Sequence, residues 1–310
     1  MPTPMDSAQF VRLLDRRLRE VSEGSSAAWE GKFGVIEKIY TKLASESAFE
    51  EFFEIGDLPD IPAFNGQLTF LSISPGYYRK IEPKEYAGGV QFERKLLDDK
   101  KYPVLDARAA KLGTSYQRTK QKSASNLVIN AASASFDFMY SEEGVALAST
   151  AHTTKSGTST ASGFSNLGTS ALNKTSVAAT RLLMRRFKND ISERIGDINP
   201  DGILCPDALA DTAGEIVKTP KSLDTAEGNV NLQFGRYDVI PLLLWDDTDT
   251  NNWMMVDKTK MKENCAWVDR IGPDFKTWVD NMTFQTMESV YGRFAWGTKG
   301  WRWGYFHNVS

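Results

Sequence analysis

The sequence predicts an α+β protein, and three observations predict it. Apolar residues recur at helical spacing over the first fifty residues and again over 102–133. Between these runs lies a mostly polar, alternating stretch broken by Gly and Pro. Beyond them, short buried runs alternate with amphipathic segments and end in aromatic-rich strands. With 310 residues and 41% hydrophobic content, the chain can bury a real core or two modest ones.

The first helical stripe is Phe10, Leu13, Leu14, Leu18 and Val21, capped by Asp6 or Ser7 and broken at Gly24. A second follows with Trp29, Phe33, Ile36, Ile39, Tyr40 and Leu43. The texture changes at Gly56, where Pro59, Pro62 and Asn65-Gly66 interrupt any regular element. Residues 67–74 read as a strand, Pro75-Gly76 as a turn, and 77–81 and 90–97 as the extended limbs of a long polar hairpin joined through Pro83 and Gly88-Gly89. That hairpin lacks the apolar content to make its own core.

Residues 102–133 read as one long helix, with Pro103 suited to its first turn and Leu105, Ala109, Leu112, Tyr116, Leu127 and Ala131 on one side. Its polar middle, 119–123, and Gly113 depart from the pattern. About 30 residues at ~1.5 Å each give a spine of roughly 45 Å. The Ser/Thr/Gly-rich 150–169 is a loop, 171–187 an amphipathic helix, 203–205 a buried strand ended by Pro206, and 208–217 a short helix. A loop covers 218–228. Buried strands over 237–245 and 253–256 flank a polar turn, and the aromatic 284–307 forms two strands around 297–300.

Composition narrows the function. Net charge is −3, whereas a phosphate-gripping protein carries a basic excess; DNA, if met, is contained rather than clamped. The two cysteines, Cys205 and Cys265, form no C-x-x-C pair, which leaves no disulfide framework or zinc ribbon. No signal peptide and no apolar run of membrane-spanning length are present. The two histidines, His152 in a loop and His307 near the end, sit in no catalytic or metal-binding frame, and a solvated or hydrogen-bonded role is expected of each. Asp246, Asp247, Asp249 and Asn251 begin like a calcium loop, but Asn252 and Lys258 stand where Gly and Glu are needed. A polar turn is the default there. No catalytic, metal or cofactor site is expected.

Charge is unevenly spread. Residues 79–122 hold twelve basic and six acidic side chains, a net +6, which leaves −9 for the rest of a chain whose total is −3. A solvated face accounts for this; so does a basic arm lying on an acidic neighbour, which favours self-assembly.

The order of elements, together with a series of short strings, resembles the Hong-Kong-97 fold of tailed-phage major capsid proteins, the Mu-like major head subunits included. The strings are Ser74-Pro-Gly-Tyr77, Phe92-Glu-Arg-Lys-Leu-Leu-Asp-Asp99 leading into Tyr102, Ala110-Lys-Leu-Gly113, Ser149-Thr-Ala-His-Thr153, Ala179-Thr-Arg-Leu-Leu-Met184, Asp201-Gly-Ile-Leu-Cys-Pro206, Asn251-Asn-Trp253 and Trp301-Arg-Trp303. The resemblance covers roughly residues 30–310, and the strings are specific only in their joint order and spacing.

It implies an N-terminal helical arm at 1–55 and an extended E-loop hairpin at 56–101. It further implies a P-domain at 102–165 and 258–310 built on the spine helix 102–133, and an A-domain at 166–257. The implied function is a structural protein, not an enzyme, that forms hexamers, pentamers and a closed icosahedral shell around double-stranded DNA in the virion, assembled in the host cytoplasm. Implied partners are other copies of the chain, a portal, a decoration protein and a separate scaffolding protein, since about 50 residues before the hairpin are too few for a cleaved scaffold segment. Arg79, Lys80, Lys84, Arg94 and Lys95 are expected to make ion pairs between subunits, and Tyr77, Tyr78 and Tyr86 to supply buried contact area. Lys80 and Lys84 are also candidate crosslink donors.

Three other readings stay open. One is an encapsulin-like compartment shell of the same fold. The second is a hydrolase using the acidic turn at 246–252. The third is a monomeric binding module with a basic hairpin.

Overall fold

The expected spine is present as a 28-residue helix in the computed structural model, which describes residues 7–133, 139–220, 230–280 and 282–309. In chain order the helices and strands are α1 (Ser7–Phe33), α2 (Ile36–Ile39), β1 (Thr41–Ala44), β2 (Glu50–Ile55), β3 (Pro75–Ile81), β4 (Lys84–Phe92), α3 (Arg94–Asp98) and the spine α4 (Tyr102–Ile129). There follow β5 (Met139–Ser141), β6 (Leu167–Gly168), α5 (Lys174–Met184), β7 (Gly202–Cys205), α6 (Ala210–Lys218), β8 (Asp238–Pro241) and β9 (Trp253–Val256). The last four are α7 (Lys258–Asn264), β10 (Cys265–Val279), β11 (Thr286–Thr298) and β12 (Gly304–His307).

Three sheets organise these elements. One runs β1-β10-β11-β4, a second β6-β12-β9-β7-β8, and a third β2-β3-β5. The long β10 and β11 pair antiparallel along most of their length, with register shifts around Gly272 and Pro273, where a proline is tolerated because the ladder is already interrupted.

Helix α1 does not break at Gly24. Leu18, Ser22 and Ser26 are buried at four-residue spacing, so one face packs continuously, and that contact outweighs the ~1 kcal/mol helix penalty of glycine. The cap Asp6 lies outside the described residues. Gly113 of α4 turns out to be a packing requirement: a Cβ there would stand 2.1 Å from the carbonyl oxygen of Ser22. Only a hydrogen lets α1 approach close enough for Ser22 to donate to the Ala109 carbonyl at 2.9 Å and Ser25 to that of Ala110 at 2.8 Å.

In the polar middle of α4, Lys120, Gln121 and Ser123 are buried too. Gln121 accepts from the Val35 amide at 2.7 Å, and Lys120 pairs with Asp269 at 2.9 Å. Gln121 thus satisfies the backbone just past the end of α1, where the chain crosses the spine.

Several strand expectations are corrected. The end of the helical N-terminal stretch gives β1 and β2 instead. Residues 67–74 form no strand, because no other strand pairs with them. An extended hairpin exists, but its limbs are β2 and β3, with Phe53 opposite Tyr78. The segment 84–92 pairs with β11 instead, Phe92 opposite Thr286, and Leu96 and Leu97 lie in α3. The two aromatic strands at the C-terminus part company, β11 to the long sheet and β12 to the five-stranded one, between β6 and β9. Likewise β8 and β9 are separated by β7. Residues 258–279 hold α7 and β10, for which no element was expected. Of the loop 218–228, residues 221–228 lie outside the described ones.

Aromatic rings fill the core. Trp267 stacks with Phe294 at 5.2 Å and Trp245 with Phe306 at 6.0 Å. His307, expected to be solvated or hydrogen-bonded, is buried against Trp253 at 4.3 Å. Its Nδ1 accepts from the Ser170 amide at 3.1 Å, so the ring proton sits on Nε2, 2.8 Å from Thr180 Oγ1. Burial pushes its pKa down from 6.5 to about 4. A lowered histidine pKa means the folded state binds fewer protons than the unfolded one. The stability it confers is therefore complete above pH 6.5 and is lost as pH falls from 6.5 through 4. Up to about 3 kcal/mol is at stake at ~1.36 kcal/mol per pH unit. Urea unfolding between pH 7.5 and 4.5 will show this decline in the wild type and a shallower one in His307→Gln; parallel profiles refute it.

Candidate assembly surface

The hairpin of β2 and β3 projects from a fixed base. Tyr78 packs on Phe53 at 5.2 Å and donates to Glu51 at 2.6 Å. The Gly56 amide donates to the Ser74 carbonyl at 3.1 Å, closing the neck of the loop, and the Asp57 amide donates to Asp190 at 2.9 Å. On the same side Arg302 pairs with Glu54 at 2.9 Å and donates to the Lys188 carbonyl at 2.8 Å. The arm is thus anchored to the loop that follows α5.

Beneath the base lies a buried charged cluster that the sequence did not reveal. Arg79 stands 3.4 Å from Glu143, whose other oxygen contacts His152 Nδ1 at 2.8 Å and accepts from the Thr153 amide at 3.1 Å. The second ring nitrogen of His152 is 3.0 Å from Asn166 Oδ1, and Trp301 stacks on the ring at 4.1 Å. His152 is therefore buried in the core beneath a loop. Burial alone would raise the Glu143 pKa, but the hydrogen bond and charge of His152, the Thr153 amide and Arg79 together hold it below the ordinary carboxylate value.

From the outer end of β2 through the loop beyond the neck, the arm reverses the usual distribution of side chains. Phe53, Ile55, Leu58, Ile61, Phe64, Leu68, Phe70 and Ile73 are all exposed, Ile61 at 89%, Phe64 at 78% and Phe70 at 88%. Scattered exposed apolar residues are ordinary, but eight within one 21-residue stretch mark a surface that is covered by a partner. The signal in the sequence was an apolar-rich stretch with neither helical nor strand period, interrupted by Pro59, Pro62 and Gly66.

Two further protrusions share this character. Val230, Leu232 and Phe234 face outward while Asn231 and Gln233 between them are buried; Asn231 donates to the carbonyls of Ile216 and Thr219 at 2.7 and 2.9 Å. At the tip joining β10 to β11, Trp278, Met282 and Phe284 are exposed, with the Arg94 guanidinium 5.8 Å from the Phe284 ring.

The residues singled out from sequence fall into two groups. Tyr77 bonds Thr153 at 2.7 Å, Lys80 pairs with Glu82 at 3.1 Å and lies 4.3 Å from the Phe49 ring, Arg94 pairs with Asp98 at 3.6 Å, and Lys95 is exposed. Lys84 and Tyr78 lie partly exposed on β4 and β3. Arg79 and Tyr86 instead turn inward. Arg79 is 3% exposed, and Tyr86 stacks on Phe294 at 4.2 Å.

The acidic turn does structural work. Asp246 accepts from the Ala208 amide at 3.2 Å, and Asp249 accepts from the amides of Asn251 and Asn252 at 2.7 and 3.1 Å. Both cysteines are buried thiols, that of Cys205 pushed up to about 12 by burial and the nearby Asp207 and Asp246. No described helix is long and apolar enough to cross a membrane.

The fold has known counterparts. It is similar to a subunit of the procapsid of bacteriophage JBD30, with a TM-score of 0.52 at 11% identity over 99% of this chain and 77% of that one. It is similar to the mature capsid of bacteriophage PhiM1, with a TM-score of 0.56 at 11% identity over 89% and 86%. A virus-like particle from Pyrococcus furiosus matches with a TM-score of 0.51 at 10% identity over 93% and 98%. The architecture is the Hong-Kong-97 fold. No curated protein matches the sequence. Residues 77–306, from β3 through β12, match the family described as phage capsid protein, and the chain belongs to that family: it is a structural protein of a phage head.

Proposed function

We propose that the chain assembles through hexamers and pentamers into an icosahedral head enclosing double-stranded DNA, and that it performs no catalysis. The observation that carries this is the anchored arm with exposed apolar residues from Phe53 to Ile73. A stretch of that composition becomes ordered and shielded from water only on a neighbour. A contact that is head-to-tail closes into rings when its rotation permits.

In this reading 56–101 is the E-loop, with its basal strand contributed by β2, and 102–165 with 258–310 is the P-domain. Residues 166–257 form the A-domain, whose sheet β12 completes and whose outward Val230, Leu232 and Phe234 face the ring centre. Residues 1–55 run along neighbours. Tyr77, Tyr78, Lys80, Lys84, Arg94 and Lys95 contribute to the contact, while Arg79 and Tyr86 position the strands that carry it. A separate scaffolding protein, a portal and a decoration protein are the other partners, and assembly takes place in the host cytoplasm before the chain is held in the virion.

The test is size. Purified protein examined by size exclusion and negative-stain microscopy at low and high salt is expected to give rings or closed shells roughly tens of nanometres across. A monodisperse monomer at every salt and protein concentration sinks unaided self-assembly, leaving only scaffold-dependent assembly, and moves the reading toward a binding module or an enzyme. Shells that retain an enzyme cargo in place of DNA turn the reading toward a compartment.

A further inference from the structure

We propose that the outward face of α4 binds the phosphate backbone of duplex DNA, and hence lines the interior of the shell; this rests on the reading of the chain as a DNA-containing head protein. Arg108, Lys111, Arg118 and Lys122 are all exposed. At about 100° per residue they fall within an arc roughly 80° wide, and at ~1.5 Å per residue they span about 21 Å. Ser115 lies exposed among them, and Lys100 and Lys101 extend the row past the helix start. The opposite side of α4 packs on α1 through Ala109 and Gly113, and on the long sheet through Tyr116, so the row faces away from the body of the subunit.

The local anions are already engaged elsewhere. Asp106, the one acidic residue of α4, pairs with Arg17 at 2.7 Å. The remaining cation of the helix, Lys120, is buried against Asp269. Among the described residues none of the four exposed cations has an ion-pair partner; Arg108 donates to the Gln91 carbonyl at 3.3 Å. In a chain of net charge −3, this concentrates unneutralised positive charge on one face.

The composition of the row selects the partner. It holds no aromatic side chain, and Val104 is its one large exposed apolar residue. A protein partner needs buried aromatic or apolar anchors, and a single strand needs rings on which bases stack. A duplex backbone needs cations at the surface and nothing else, and it is bound without regard to sequence.

The experiment uses the full chain at concentrations below its assembly threshold and a short labelled DNA duplex, followed by anisotropy between about 50 and 200 mM salt. The variant R108Q/K111Q/R118Q/K122Q is compared with R185Q/K218Q/R236Q/K262Q, which removes the same charge from exposed positions elsewhere. The first is expected to bind at least about tenfold more weakly and to lose about 3–4 from the slope of log K against log salt, at ~0.9 per phosphate contact. The second is expected to stay within about twofold of wild type. Equal losses in both variants, no duplex binding by wild type, or displacement of the duplex by polyglutamate at equal charge overturn the proposal, the last in favour of an acidic protein partner. Microscopy of the same samples scores assembly separately, so absent particles with intact row-dependent duplex binding count against the head reading alone.

Discussion

Replacing Ile61, Phe64 and Phe70 together by serine abolishes particle formation and leaves the subunit folded. The three side chains are 89%, 78% and 88% exposed, so the isolated subunit loses almost no burial and its Tm should move little. On a neighbour each would contribute about 1.5–3 kcal/mol if fully covered. About 6 kcal/mol per contact corresponds to a weakening on the order of 10⁴, and every subunit in a ring repeats it. Sedimentation and negative stain read the loss of particles; circular dichroism reads the retained fold. Particles forming at an unchanged protein concentration would exclude the arm as the principal contact. A large fall in Tm would instead show that these residues serve the subunit's own core.

The second large effect is expected on stability. Glu143 and Arg79 side chains are 2% and 4% exposed, and Arg79 Nε makes no hydrogen bond among the described residues. Removing one member of such a pair leaves an uncompensated buried charge, which costs about 3–5 kcal/mol. Glu143→Ala should therefore lower Tm by roughly 6–20 °C at ~2–4 °C per kcal/mol. Arg79→Met combined with Glu143→Leu should recover much of that loss, because both charges leave together. Additive losses in this double-mutant cycle would show that the two side chains act independently.

The pH dependence has a defined sign. The folded pKa of Glu143 lies below its ordinary value of 4.5, so its contribution is present above that value and is lost as pH falls through the folded pKa. Glu143→Gln removes this acid limb, whereas the His307 limb at higher pH persists. The cluster ties β3 to the loop carrying His152, so its loss should loosen the base of the arm as well as the core. Proteolysis at residues 56–74 should quicken accordingly.

Much of the element list was legible because it depends on local pattern. Helix α4 shows its apolar side at Leu105, Ala109, Leu112 and Tyr116 and again at Leu127, and it carries Pro103 in its first turn; both features are written in the order of residues. The buried runs that became β7 and β9 admit few alternatives. The cations of α4 were visible in the sequence only as part of the basic segment 79–122; their exposure and lack of ion-pair partners were not. The exposed apolar arm was half legible: its irregular composition marked a break in the fold, but Leu68 and Phe70 alternate as a strand would.

Partner choice was not legible. A strand with period two presents the same face whichever neighbour it meets, so nothing within 84–92 distinguished pairing with β3 from pairing with β11, about two hundred residues later. Gly24 and Gly113 look alike as helix flaws; one faces solvent and the other admits the Ser22 carbonyl at a distance no side chain permits. Likewise the polar residues of mid-α4, and Arg79, Glu143 and His152, appear solvated in sequence because burial of a charge depends on a counter-charge that arrives from a distant segment. Composition, periodicity and family strings pointed by themselves to the kind of protein this is and to its principal helices. The tertiary structure decided which strands meet, which charges are buried together and which apolar residues are left for a neighbour, because those free energies belong to contacts between residues far apart in the chain.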